Sequence, residues 1–354
     1  MLLFLANFPD EMTRHEGMSQ RIIAIDKLYR DENRVYLFVS HRLFFKKQTV
    51  RIDDHAIQYR CNVVVHFFFI LKLFRQAELL YFHSIMNVLP ALPFLRFIKN
   101  GQRVTLDAHG LVTEEQRMAG TRWKSNLYQL SERRIFKKAH VVITVTNAME
   151  YYFRKKHSKS KVRYLTWTNL PEHLKDIHYV PPKIVSDDLI RVVYSGNTQL
   201  WQNVDLIVQV IKNNLSPRIR YDILTGEREF MNRSLRDAGI HNEPSISVKT
   251  VAPEELETYY RAAHYGFMMR DDVDVSRVSC PTKMIEYMYF GMIPIVKTKK
   301  IGDFEEMGCE SVLYDEFSAQ SGPRKSLTNH LIIDRLLKHE HEWLVELNAM
   351  KPLY

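Results

Sequence analysis

Lys283 and Glu286 stand three residues apart in the stretch Cys280-Pro281-Thr282-Lys283-Met284-Ile285-Glu286-Tyr287-Met288-Tyr289-Phe290-Gly291-Met292-Ile293-Pro294. That spacing sets an ammonium and a carboxylate one turn apart on a helix that begins at the proline and ends at Gly291. Unpaired amides and a lysine at a helix start suit a phosphate, and a carboxylate there can accept hydrogen bonds from two hydroxyls of a ribose or sugar. The same spacing also suits a surface ion pair on an ordinary helix. A second pattern is Asp107-Ala108-His109-Gly110, at the end of the apolar run Val104-Thr105-Leu106. A histidine at the carboxyl end of a parallel strand lies where such sheets bind ligands, although it can equally fix a turn.

Three further patterns carry weaker chemistry. Val192-Val193-Tyr194-Ser195-Gly196-Asn197 reads as a strand followed by a small-residue turn, in which Gly196 lets the backbone approach a diphosphate. Arg270-Asp271-Asp272-Val273-Asp274 contains an Asp-x-Asp, yet it follows a strand–helix alternation and fits poorly as a metal loop. Gly17 precedes the first helix in the loop from Asn7 to Ser19, without the G-x-G-x-x-G spacing of a dinucleotide fingerprint. Basic and aromatic residues interleave from Tyr151 to Lys161; such a run can grip anionic head groups or remain a solvated helix face.

The elements that position these residues alternate. Buried strands are expected at residues 2–6, 34–40, 78–83, 103–107 and 140–145, with helices at 19–30 and 122–138 between them. A turn-rich stretch, Tyr179-Val180-Pro181-Pro182-Lys183 followed by Ser186-Asp187-Asp188, marks a linker. Beyond it strands are expected at 190–194, 220–225, 245–249, 266–269 and 293–296, and helices at 204–213, 230–237, 253–263 and 281–290. The fold class is therefore α/β, with two Rossmann-like doubly wound domains, 1–182 and 183–327, facing a cleft. A helix over 328–349, in a final segment 328–354, caps the second domain or crosses back to the first.

Length agrees, since 354 residues exceed one ordinary core. A hydrophobic fraction of 45% and a charged fraction of 26% are those of a folded chain, which excludes disorder. Cys61, Cys280 and Cys309 lack the close pairing of a zinc site or a disulfide framework and fit a reducing compartment. The N-terminus has no basic leader, and the apolar run 63–74 is too short to span a bilayer; 79–98 is long enough but holds His83, Pro90, Pro93 and Arg96. A cytoplasmic location follows. Residues 1–183 carry 30 Lys+Arg against 16 Asp+Glu, and the remainder 20 against 25. A basic first half suits an anionic partner, such as a membrane surface or a phosphorylated lipid, and no nucleic-acid module surrounds it.

The segment from Pro281 to Pro294 resembles the P-x-K-hydrophobic-x-E-Y-M-x-x-G-x-P signature of family-4 glycosyltransferases, a retaining, GT-B type family. The Asp107–Gly110 turn is similar to that family's D-x-H-G turn, and Trp167-Thr168-Asn169-Leu170-Pro171 to its P-N-G turn. The resemblance implies a metal-independent enzyme with a nucleotide-diphosphate sugar as co-substrate and no other cofactor. It implies that Glu286 holds the ribose, Lys283, Gly196, Asn197 and Arg270 the donor phosphates, and His109 with Asp107 the catalytic contact to the transferred sugar. It also implies an acceptor that is a glycan or lipid-linked intermediate of surface polysaccharide synthesis, handled in the cytoplasm or at the inner membrane face. The family's first glutamate is replaced by Val278, so contacts to the sugar hydroxyls fall to Asp271, Asp272 or Asp274. A sugar-nucleotide epimerase on the same fold and a non-enzymatic polyanion-binding protein are the alternatives.

Overall fold

The computed structural model describes residues 1–13, 17–175, 177 and 188–349, the last ten by backbone alone. Two compact units divide the chain, Met1–Asn169 with Leu347–Tyr354, and Leu170–Glu346. The expected boundary at 182/183 lies outside the described residues. Leu170 and Leu174 already pack in the second unit's core, against Met284, Tyr287 and Met288, which is why that unit begins ahead of the proline linker.

The first unit is built on strands β1 (Leu2–Leu5), β2 (Arg34–Ser40), β3 (Gln48–Arg51), β4 (Ala56–Asn62), β5 (Leu79–His83), β6 (Arg103–Ala108), β7 (Val141–Thr144) and β8 (Arg163–Thr166). They form one sheet in the order β3-β4-β2-β1-β5-β6-β7-β8, parallel except where β3 pairs antiparallel with β4. β1 lies inside the sheet with every residue buried, as expected of a strand covered on both faces. Phe4 stacks on Tyr36 at 5.0 Å and meets Tyr81 at 5.3 Å. From β1 the chain winds outward through β2, then returns to the other side of β1 as β5, so the order reverses between β1 and β5. Among the described residues no helix is long and apolar enough to cross a membrane.

The second unit holds β9 (Ile190–Ser195), β10 (Ile219–Leu224), β11 (Ile246–Lys249), β12 (Tyr265–Met268), β13 (Ile293–Val296) and β14 (Val312–Leu313), ordered β11-β10-β9-β12-β13-β14 and wholly parallel. Here the reversal falls between β9 and β12. The helix Val204–Asn213 buries Val204, Ile207, Val208 and Ile211, one stripe at helical spacing. Thr282–Tyr289 ends as expected at Gly291, whose φ of 67° lets the amides of Gly291 and Met292 turn back to Met288 and Tyr287. Gly266 on β12 admits the Tyr287 ring: a Cβ there would stand 2.6 Å from it.

Lys325 plugs the ends of two helices in this unit. Its ammonium donates to the carbonyls of Tyr260 at 3.0 Å and Phe290 at 2.9 Å. Burial, with Arg261 nearby, lowers its pKa from 10.5 to about 7. Between those values the unfolded chain holds a proton that the folded unit has released, so the cost of this group is full below about pH 7 and is relieved as pH rises toward 10.5. Stability from urea melts should therefore climb over that range, and Lys325→Met should flatten the climb by up to about 1.4 kcal/mol per pH unit. An identical slope in both proteins would show that the ammonium is not held in this state.

Candidate active site

The sheet reversal in the first unit gathers a buried polar cluster at the carboxyl ends of β5 and β6. His83 and Asp107 are register partners across the two strands, and Tyr81 lies two residues back on the same face as His83. Arg21 enters from the helix Gly17–Leu28. Its Nε donates to both Asp107 oxygens at 2.9 Å, Nη2 lies 2.8 Å from Oδ1, and Nη1 donates to the Trp167 carbonyl at 2.8 Å. The guanidinium also lies 4.7 Å from the centre of the Trp167 ring. Tyr81 donates its hydroxyl to Asp107 Oδ2 at 2.9 Å, and His109 Nε2 stands 3.2 Å from the same oxygen.

Asp107, expected beside His109 as a catalytic group, is 0% exposed with both oxygens occupied. Burial works to raise its pKa, but the charges and hydrogen bonds of Arg21 and His109 outweigh it and hold the carboxyl well below the usual range. Its hydrogen bonds tie β6 to Arg21 and Tyr81 and leave it no exposed surface. His109 is the member of the cluster that retains exposure, at 12% of its side chain. His83 is fully buried, and burial brings its pKa down to about 3, so it stays neutral. His83, Asp107 and His109 also bring three possible metal-ligand atoms within 4.8 Å, the one such group among the described residues. A cation there would face the Arg21 guanidinium across oxygens that Arg21 and Tyr81 already fill, so the donor set suits an ion pair better than a metal.

In the second unit the reversal brings the end of β9 beside the helix Thr282–Tyr289. Lys283 Nζ donates to Glu286 Oε2 at 3.1 Å and to the Tyr260 hydroxyl at 3.2 Å. Tyr260 donates to the same Oε2 at 3.2 Å, its oxygen is 2.7 Å from Ser195 Oγ, and Ser195 meets the Tyr287 hydroxyl through both N–H and Oγ at 3.1 Å. With Glu286 ionised, the hydroxyls have a single consistent order: Tyr287 donates to Ser195, Ser195 to Tyr260, and Tyr260 to the carboxylate. Burial raises the Tyr287 pKa to about 12, and burial with the Glu286 charge raises that of Tyr260 well above 10, so neither hydroxyl gives up its proton. Glu286 is 6% exposed, and Oε2 carries the fixed bonds. Among the described residues, Oε1 has only His173 Nε2 near it, at 3.6 Å.

Gly196 follows Ser195 directly. Without a side chain there, the Tyr194 hydroxyl reaches the carbonyl of Asn197, which is itself exposed. Glu227 takes the next donors of the turn, Thr198 N at 2.5 Å and Oγ1 at 2.7 Å. Arg270 Nη1 lies 3.5 Å from Ser279 Oγ. The three aspartates form a separate group: Asp271 pairs with Lys297 at 2.5 Å, Asp272 with Arg277 at 2.6 Å, and Asp274 with Arg277 at 3.7 Å. Val278 is buried. Gly17 opens the first helix, its carbonyl 3.4 Å from the Asn169 side-chain amide; residues 14–16 of its loop lie outside the described residues.

Arg21, Tyr81, Ser195, Tyr260 and His173 were not singled out from the sequence. Arg21 carried one usable signal, a charged residue beside Ile22 and Ile25 on the buried face of its helix. Removing one partner of a buried ion pair typically costs about 3 to 5 kcal/mol. Arg21→Met should destabilise the chain by that amount in urea unfolding followed by tryptophan fluorescence, and adding Asp107→Asn should recover part of the loss. A single-variant loss under about 1 kcal/mol would mean that the Asp107 charge is neutralised by something else.

No protein-family model and no curated protein matches the chain. Solved structures do. A sucrose-phosphate synthase from Thermosynechococcus elongatus aligns over 93% of this chain and 92% of its own, at 14% identity and a TM-score of 0.63. An α,α-trehalose-phosphate synthase (UDP-forming) from Burkholderia vietnamiensis aligns over 98% of each chain, at 11% identity and a TM-score of 0.65. Anabaena HepE in complex with UDP-glucose aligns over 99% of each, at 11% identity and a TM-score of 0.65. Two doubly wound sheets in one chain, matched over nearly its full length by these enzymes, give this protein the GT-B fold.

Proposed function

We propose that the chain is a glycosyltransferase that moves a sugar from a nucleotide-diphosphate donor to an acceptor. The carrying observation is the Glu286 carboxylate, fixed through Oε2 by Lys283 and Tyr260 and with no hydrogen bond to Oε1 among the described residues, beside the glycine turn that ends β9. A carboxylate held this way accepts ribose hydroxyls without further ordering cost. Among the described residues no acceptor meets the amides of Thr282 and Lys283 at the same helix start, which suits the donor phosphates. UDP-glucose in HepE supports a uridine nucleotide as the first donor to try.

In this reading His109 positions the transferred sugar, with Asp107 and Arg21 holding the histidine's surroundings rigid. Lys283 and Arg270 offset the charge of the departing diphosphate, and transfer proceeds with retention and without a required metal. Asp271, Asp272 and Asp274, neutralised by Lys297 and Arg277, are less suited to a metal than a bare Asp-x-Asp. The acceptor is a glycan or lipid-linked intermediate, a reading supported by the positive charge of the first half.

Calorimetric titration of UDP tests the donor site. Each hydrogen bond to a charged group is worth about 1.5 to 3 kcal/mol, so Glu286→Ala should weaken UDP binding at least about tenfold with the fold intact, and Glu286→Gln should fall between. The 2′,3′-dideoxy analogue should bind wild type and Glu286→Ala about equally. If the alanine variant still prefers the natural ribose by the wild-type margin, Glu286 is only the ion-pair partner of Lys283.

A further inference from the structure

The basic run that ends at Lys161 forms one wall of a cavity of about 920 Å³ in the first unit. Its other wall is the end of the helix Arg122–Phe136 and the connection into β7. Both walls lie ahead of β7 and β8, at the amino ends of parallel strands. Asp107 and His109 stand at the carboxyl end of β6, so the cavity opens at the opposite end of the sheet from the candidate active site.

No acidic residue lines this cavity. Glu132, which pairs with two of the lining residues, is buried and already consumed: Lys156 and His157 reach its Oε1 at 2.7 and 2.8 Å, and Lys156 also bridges to Glu114 at 2.7 Å. Five other lining cations, Arg133, Lys137, Lys138, Lys159 and Lys161, are exposed and make no ion pair with any described residue. Two helix C-termini account for the placement of a cation or two, and Lys156 and His157 already serve there. His140 adds a fixed edge, since its Nδ1 accepts the Val104 amide at 3.2 Å and turns Nε2 outward.

Five like charges around one concavity repel one another in the absence of an anion. Their arrangement on the two walls of a half-open concavity suits a discrete ligand seated between them, whereas a bilayer presents a flat face. We infer that this cavity is a binding site for a small, multiply phosphorylated molecule, separate from the donor site. Several clustered phosphates are required to engage both walls, so a monophosphate is held poorly.

Inorganic tripolyphosphate is the probe, titrated into the full chain at constant ionic strength. It should bind at least about tenfold tighter than inorganic phosphate and raise the melting temperature by mass action. The triple substitution Lys137→Ser, Lys138→Ser, Lys161→Ser should weaken binding at least about tenfold, as expected for lost charge-assisted contacts. Removing the same charge elsewhere in the unit, through Arg42→Ser, Lys46→Ser and Lys124→Ser, should change it less than about twofold. Lys283→Ala, at the candidate donor site, should also leave it unchanged. Equal losses in the two triple variants, loss in Lys283→Ala alone, or binding only to anionic vesicles and not to tripolyphosphate would each overturn the assignment.

Discussion

Burying a carboxylate costs several kcal/mol unless every lone pair finds a donor, and both halves of this protein are organised around one such charge. In the first unit it is Asp107, in the second Glu286. Each is bonded to a residue beside the point where its sheet reverses direction, Asp107 to Tyr81 of β5 and Glu286, through Tyr260, to Ser195 of β9, and doubly wound sheets open a crevice at such points. Their difference lies in saturation. Asp107 takes a two-toothed guanidinium and a phenol and has nothing left to offer, so its effect is rigidity around His109. Glu286 has its fixed partners gathered on Oε2. The other oxygen accepts no hydrogen bond from the described residues.

The local pattern in the sequence was enough to locate most strands and helices, because covered parallel strands and amphipathic helices write their burial into composition. The helix Val204–Asn213 and strand β13 fall where the periodicity places them. The hairpin of β3 and β4 left no such mark. All four residues of β3 are exposed on the sheet edge, so no apolar alternation betrays it. β8 was hidden for a related reason: it is four residues long and follows directly on the basic run.

The candidate site was legible only where its members are neighbours in sequence. Lys283 and Glu286 share a helix turn, and Asp107 and His109 share a strand end, so spacing alone links them. The groups that fix them come from far along the chain, Arg21 at 86 residues from Asp107 and Tyr260 at 26 from Glu286. Such contacts depend on sheet order, which one sequence does not disclose. The aspartates at 271–274 illustrate the converse: their proximity to the motif suggested a shared task, yet lysines and arginines of their own surround them.

Protonation bears on the choice between transfer and epimerisation. An epimerase must remove and return a proton at carbon, which calls for groups able to change charge near neutral pH. Four buried groups of the two clusters are held the other way. Arg21 keeps Asp107 ionised, burial keeps His83 neutral, and burial keeps Tyr260 and Tyr287 protonated. Under the proposed function, such locked states suit a reaction in which charge develops on a leaving diphosphate and is met by fixed dipoles and cations. Glu227, which now takes the amide and hydroxyl of Thr198 beside the glycine turn, occupies donors that an incoming phosphate would also use. The network behind that turn does not depend on Glu227, because Ser195 and Tyr260 are held by Tyr287 and Glu286.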